Sequence, residues 1–88
     1  MKIRVELANP LDKFAGGDRL TVELPTNATG VELICLLNKR FAEVSAMSRL
    51  LVPGRTILFV NKEYVGLETA LEDSDVVRIV PYISCCHP

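Results

Sequence analysis

Three cysteines and one histidine are the side chains best suited to chemistry in this chain of 88 residues. Cys85, Cys86 and His87 are consecutive, and Cys35 stands alone in an apolar run. Accessible thiols can hold sulfur as a persulfide or a disulfide, and His87 is the one nearby base to favour a thiolate. A disulfide between neighbours is strained, because consecutive Cα atoms lie ~3.8 Å apart and disulfides usually need at least ~4.4 Å. Such a bond would be readily reduced. Cys85, Cys86 and His87 are also weak metal-ligand candidates, since zinc sites usually space their ligands by two or more residues. Cys35 is expected in the core, where cysteine behaves as a small hydrophobe. A Ser-His-Asp triad has no basis, because His87 lies on an unanchored tail. Gly16-Gly17 is a loop rather than a phosphate cradle, because no helix follows it directly. Lys39-Arg40 reads as a solvated helix face, free to meet an acidic partner.

The rest of the composition bounds what these residues can serve. Apolar residues make up 49% of the chain and charged residues 24%, the balance of an ordinary soluble globule. The formal net charge of -1 gives no basic excess for nucleic acid. No apolar stretch reaches the ~18 residues of a membrane span, and the alternating MKIRVEL start is not a signal peptide. An odd, unevenly spaced cysteine set is no secreted disulfide framework, so a reducing cytoplasm is expected. One small domain leaves no room for an active site walled by two domains. A binding or carrier module fits better than an enzyme in its own right, and no cofactor is expected.

The elements that must position the tail follow from periodicity. Lys2 to Ala8 alternates, with Ile3, Val5 and Leu7 on one side, and Arg19 to Leu24 alternates again. These two runs predict an antiparallel hairpin across a loop of about ten residues, unusually long for a hairpin. Thr29 and Glu32 have the spacing of a capping box, predicting a helix from Gly30 to about Val44. Ile34, Leu37, Phe41 and Val44 form its apolar stripe. Ser45 to Arg55 reads as irregular. Thr56 to Val60 is a strand, Tyr64-Val65 a short return strand, and Val76 to Val80 the last strand, stopped by Pro81. Arg78 is the outward residue of that strand. Leu67, Ala70 and Leu71 are placed to cover one edge of the core. The first and last strands are expected side by side at the centre of an α+β sheet with the helix on one face.

This order resembles the β-grasp, or ubiquitin-like, sulfur carriers of the MoaD/ThiS type, with MoaD, the small subunit of molybdopterin synthase, the nearer branch. The specific matches are Phe59-Val60-Asn61-Lys62-Glu63-Tyr64-Val65, on the family's strand and "VN" turn, and Ala70-Leu71-Glu72-Asp73-Ser74-Asp75-Val76-Val77, on its "L-x-D-G-D-x-V" turn. Ser74 stands where the family usually has glycine. Val80-Pro81-Tyr82-Ile83-Ser84 matches the run into the tail. The resemblance implies a mixed sheet of four to five strands with one main helix, a β-grasp domain over residues 1–81 and a flexible tail over 82–88. It also implies a non-catalytic carrier subunit for molybdopterin, or a related cofactor, with the tail as a tethered substrate. The partners implied are an adenylating activating enzyme of the MoeB/ThiF type and a large synthase subunit of the MoaE type. Pro81, Tyr82, Ile83 and Ser84 would then contact a partner's tunnel, and Phe59 and Val80 are candidates for the partner surface.

One departure bears on the chemistry. Sulfur carriers of this kind end in Gly-Gly, thin and free in φ, and the last glycine supplies the carboxylate that is adenylated and then loaded as a thiocarboxylate. Cys85 and Cys86 hold those places here, followed by His87 and Pro88. Processing after Cys86 would expose a carboxylate there, still without the glycines. Four readings of the tail stay open: a thiocarboxylate carrier, a β-grasp interaction module without carrier chemistry, a thiol carrier at Cys85 and Cys86, and a metal site.

Overall fold

A computed structural model describes residues 1–81. Five strands form one sheet: β1 (Lys2–Leu7), β2 (Arg19–Glu23), β3 (Thr56–Val60), β4 (Glu63–Val65) and β5 (Val76–Pro81). Their order across the sheet is β2-β1-β5-β3-β4. As the sequence predicts, the first and last strands are neighbours at the centre, and they run parallel, with Arg4 opposite Val76 and Leu7 opposite Ile79. All other pairings are antiparallel. The alternation does its expected work: Ile3, Val5, Leu7, Val77 and Ile79 are buried, whereas Lys2, Arg4 and Arg78 are exposed.

The main helix, α2 (Gly30–Arg40), covers the buried face with Leu33, Ile34 and Leu37. It starts at the capping box read from the sequence, with the Thr29 amide donating to the Glu32 carboxylate at 3.2 Å. A glycine is required at its first position. A Cβ on Gly30 would run into the Leu58 side chain and lie 3.1 Å from the Leu67 carbonyl oxygen. The segment after β4 seals this end of the core, with Leu71 buried and Thr29 bridged to Ala70.

Four expectations need correction. The long hairpin loop contains a short helix, α1 (Leu11–Ala15), which drives Leu11 fully into the core and ends at Gly16 with φ 80°. Helix α2 stops at Arg40 rather than near Val44, because the chain turns there and Val44 donates to the Phe41 carbonyl at 2.9 Å. Phe41 and Val44 still pack half-buried against the core. The segment read as irregular holds another helix, α3 (Ser45–Leu50), and a single 3-10 turn at Pro53–Arg55. Met47 and Leu51 from this segment are fully buried, and the Asn38 side-chain amide donates to the Leu51 carbonyl at 2.6 Å.

Cys35 is the fourth correction, because it is exposed. Successive helical residues step ~100° around the axis. With Ile34 and Leu37 turned inward, Cys35 swings toward solvent despite its apolar neighbours in sequence.

Candidate functional site on the open sheet face

Helix α2 covers one face of the sheet, and among the described residues no helix covers the other. The residues on that open face follow from the register. Across β3 and β5, Ile57 stands opposite Val80 and Phe59 opposite Arg78. Across β4 and β3, Tyr64 stands opposite Phe59. Across β5 and β1, Arg78 stands opposite Glu6 and Val76 opposite Arg4. Ile57, Phe59, Val76 and Val80 are all half-buried. This makes an apolar patch over β3 and β5, bordered by a charged zone over β1 and β2.

The ring of Phe59 packs against that of Tyr64, with centroids 6.0 Å apart and planes tilted by 58°. Tyr64 is 72% exposed. Arg78 pairs with Glu6 at 3.8 Å. Both side chains are substantially exposed, so the pair orients the guanidinium more than it stabilises the fold. A hollow of about 660 Å³, lined by Glu6, Phe59, Asn61, Lys62, Val76 and Arg78, lies between the aromatic pair and this ion pair.

Two tight turns hold the patch in place. Asn61 and Lys62 take positive φ values of 51° and 75°, the two-residue turn that suits a right-twisted hairpin. The Asn61 side chain reaches out of this turn in two directions. Its Nδ2 donates to the Asp75 carboxylate at 3.0 Å, and its Oδ1 accepts from the Val76 amide at 3.2 Å. The second turn, Glu72 to Asp75, is closed by the other Asp75 oxygen, which accepts from the Glu72 amide at 2.8 Å. The same turn is sewn to the first strand: Lys2 donates its amide to Asp73 at 2.7 Å, and Ser74 donates to the Lys2 carbonyl at 2.8 Å. Ser74 has φ 71°, a left-handed backbone that favours glycine.

The strand that leads to the tail ends beside β3. Pro81 is buried and is the last paired residue of β5, opposite Thr56. Thr56 is itself buried and donates its hydroxyl to the Val52 carbonyl at 2.7 Å. Proline is tolerated here because it sits at the strand terminus. The candidates Phe59 and Val80 therefore share the open face, whereas Pro81, next to Val80 in the chain, turns to the buried face with Thr56. The candidates Tyr82, Ile83, Ser84, Cys85, Cys86 and His87 lie outside the described residues. Among the described residues, no three of His, Cys, Asp and Glu stand close enough together to hold a metal ion. No described helix is long and apolar enough to cross a membrane.

Reasoning from the sequence missed Tyr64, Asn61 and Val76 as members of this face. The signal for Tyr64 was available in part: a two-residue turn after Val60 places it opposite Phe59. The coupling of Asn61 to Asp75 and Val76 spans about fifteen residues of chain and has no local signature.

Comparison with known proteins matches this arrangement. A protein assigned as molybdopterin converting factor, subunit 1, from Pyrococcus furiosus superposes with a TM-score of 0.76 at 26% identity, over 94% of this chain and 99% of that one. SAMP1 from Haloferax volcanii superposes with a TM-score of 0.77 at 19% identity, over 96% of this chain and 98% of that one. A complex of subunits 1 and 2 of molybdopterin-converting factor from Helicobacter pylori contains a chain of the same fold, with a TM-score of 0.63 at 20% identity, over 94% of this chain and 96% of that one. No curated protein matches the chain. The model of the ThiS family matches residues 5–84, which takes in the second half of β1, all of β2 to β5, both motif turns and the start of the tail. The chain belongs to the ThiS family and has the ubiquitin-like β-grasp fold.

Proposed function

We propose that this chain is a MoaD-like sulfur carrier, the small subunit of a two-component sulfurtransferase for molybdopterin or a related cofactor. The observation that carries this reading is the ThiS-family match over residues 5–84, joined to the likeness to a subunit 1 of molybdopterin converting factor. The domain of residues 1–81 acts as a handle, and residues 82–88 are the working arm. An adenylating enzyme of the MoeB/ThiF type joins the tail carboxylate to the α-phosphate of ATP and releases pyrophosphate. A sulfide-class donor then displaces AMP and leaves a thiocarboxylate directly. A persulfide donor displaces AMP to give an acyl disulfide, which a second thiol cleaves to the thiocarboxylate, leaving with the donor's sulfur as a disulfide. A larger subunit of the MoaE type receives the tail and the sulfur. The open face with Phe59, Val80, Tyr64 and the hollow beside Arg78 is the surface on which such a partner sits.

Cys85 and Cys86 favour a second reading, in which the sulfur is held as a persulfide on a thiol rather than on a carboxylate. Pyrophosphate release separates the two. In the carrier reading, adding this chain to its activating enzyme and ATP releases pyrophosphate, and the chain shortened to residues 1–81 does not. Release that is equal for both chains, or absent for both, would refute tail activation.

A further inference from the structure

The edge of the sheet at β2 is built to pair with itself. Backbone direction shows which groups are free. Met1 and Leu24 exchange both backbone hydrogen bonds, at 2.7 and 2.9 Å, and Leu7 donates to the Asp18 carbonyl at 2.8 Å. In an antiparallel pair the inward- and outward-turned residues alternate. Leu24, Val22, Leu20 and Asp18 therefore turn their backbone groups toward β1. Arg19, Thr21 and Glu23 turn theirs away, onto an edge with no neighbouring strand among the described residues. All three are exposed.

Natural proteins commonly guard such an edge with lysine, proline, a bulge or a covering loop. Within Arg19–Glu23 there is no lysine and no proline, and the pairing to β1 runs without a bulge; the two charges the edge carries, Arg19 and Glu23, are of opposite sign and so do not repel a reversed copy.

The side chains on this edge are complementary to their own reverse. Two rows of charge cross the open face of the sheet. One runs from Arg78 on β5 to Glu6 on β1 to Arg19 on β2, and ends on a cation. The other runs from Lys2 on β1 to Glu23 on β2, and ends on an anion. The one ion pair among the described residues joins Arg78 to Glu6, so both edge charges lack a salt-bridge partner there.

We infer that β2 pairs antiparallel with β2 of a second copy of this chain, about a two-fold axis at Thr21. In that register Thr21 faces Thr21, and Arg19 of each copy faces Glu23 of the other. The outward backbone groups of all three residues find partners. Each row of alternating charge then continues across the junction, from Arg78, Glu6 and Arg19 of one copy to Glu23 and Lys2 of the next. Opposite charges directly across a strand pair are favourable, and a two-fold interface uses each such pair twice.

On the helix side, Leu20 of one copy faces Val22 of the other. It would enter the groove of about 530 Å³ between β2 and α2, which Val22, Leu36, Lys39 and Arg40 help to line. The cations Lys39 and Arg40 stand at the end that Arg19 of the other copy meets, where they offset part of its attraction to Glu23, but the two copies' Lys39 and Arg40 do not repel each other. They flank the Glu23 end of each strand, and in this register the two ends lie ~13 Å apart, beyond the ~8–10 Å over which salt leaves exposed charges interacting. β2 is two strands away from β5. The dimer therefore leaves the hollow and the exit at Pro81 uncovered, with both copies presenting them on one continuous ten-stranded sheet.

Sedimentation velocity of the full chain over a wide concentration range tests this, with reductant present so that no cysteine cross-link contributes. The expected result is a reversible dimer that high salt weakens. Arg19→Glu and Glu23→Arg each place like charges across both junctions, and each alone should weaken the dimer at least about tenfold. An equimolar mixture of the two variants should dimerise again, because every facing pair of positions 19 and 23 then joins a carboxylate to a guanidinium. Amide exchange on the unaltered chain gives an arm that needs no variant: Thr21 and Glu23 should gain protection as concentration rises. A monomer at every concentration would overturn the proposal. So would variants that dimerise like the parent, or a mixture of well-folded variants that stays monomeric.

Discussion

The Asn61 Oδ1 accepts the Val76 amide at 3.2 Å, which ties the β3–β4 turn to the first residue of the strand that carries the tail. The reverse contact closes the loop, since the Asn61 amide donates to the Val76 carbonyl at 2.8 Å. Asp75 accepts from the other side of the same side-chain amide group. The turn that follows Phe59 and the turn that precedes Val76 thus behave as one unit, and together they frame the hollow on the open face.

Asn61→Ala should therefore cost about 2 kcal/mol, from lost hydrogen bonds and a left-handed backbone that alanine disfavours. Asn61→Gly keeps the backbone and loses only the bonds, so it should cost about half as much. Chemical denaturation of the two variants separates the contributions. Equal losses would show that the side-chain bonds alone matter.

Ser74 is a site where the chain is less stable than it need be. Its φ of 71° suits glycine, and its amide bond to the Lys2 carbonyl does not depend on the side chain. Ser74→Gly should stabilise the domain by about 0.5–1 kcal/mol, the relief of left-handed strain less the entropy of glycine. For a domain of this size that is a rise in Tm of about 2–8 °C.

Gly30→Ala should do the opposite, although alanine is the better helix former by about 1 kcal/mol. The added methyl meets Leu58 and the Leu67 carbonyl, and overpacking of that kind costs about 1–3 kcal/mol. A net loss of up to about 2 kcal/mol is expected in thermal or denaturant unfolding. A gain would mean that Leu58 can move aside freely.

Phe59→Asp and Val80→Asp should leave the fold in place, because both residues sit half-buried on the open face rather than in the core. Binding to a MoaE-type subunit, measured by calorimetry, should fall by at least about tenfold for each, as expected when a charge is buried in an apolar contact. Arg40→Glu, on the helix side, should leave that binding unchanged.

Much of this architecture was legible in the residues. The alternation of Ile3, Val5 and Leu7, and of Val77 and Ile79, fixed which faces are buried, and Thr29 with Glu32 marked the start of the main helix. The short helices were not legible. Helix α1 has five residues, too few for a periodic stripe, and its place is set by where Leu11 can reach the core. Cys35 was misplaced because an apolar run hides helical phase until the buried partners of its neighbours are known. Phe59 and Val80 could be named without their face being known. That face is set by the register of β3 against β5, which is a long-range property. The motif turns were visible as a family pattern, but their joint hold on β5 emerges only when Asn61, Asp73 and Asp75 are seen bridging three strands.

The central claim is that the tail carries sulfur on a carboxylate. Intact-mass measurement tests it most directly, on the full chain incubated with a MoeB/ThiF-type enzyme, ATP and a sulfur donor. Exchange of one carboxylate oxygen for sulfur predicts a gain of ~16 Da on the full-length chain or on a form processed at the tail, the gain being lost when ATP is omitted. An unmodified mass in the complete reaction, or a gain of ~32 Da that reductant removes and ATP does not affect, would contradict the account.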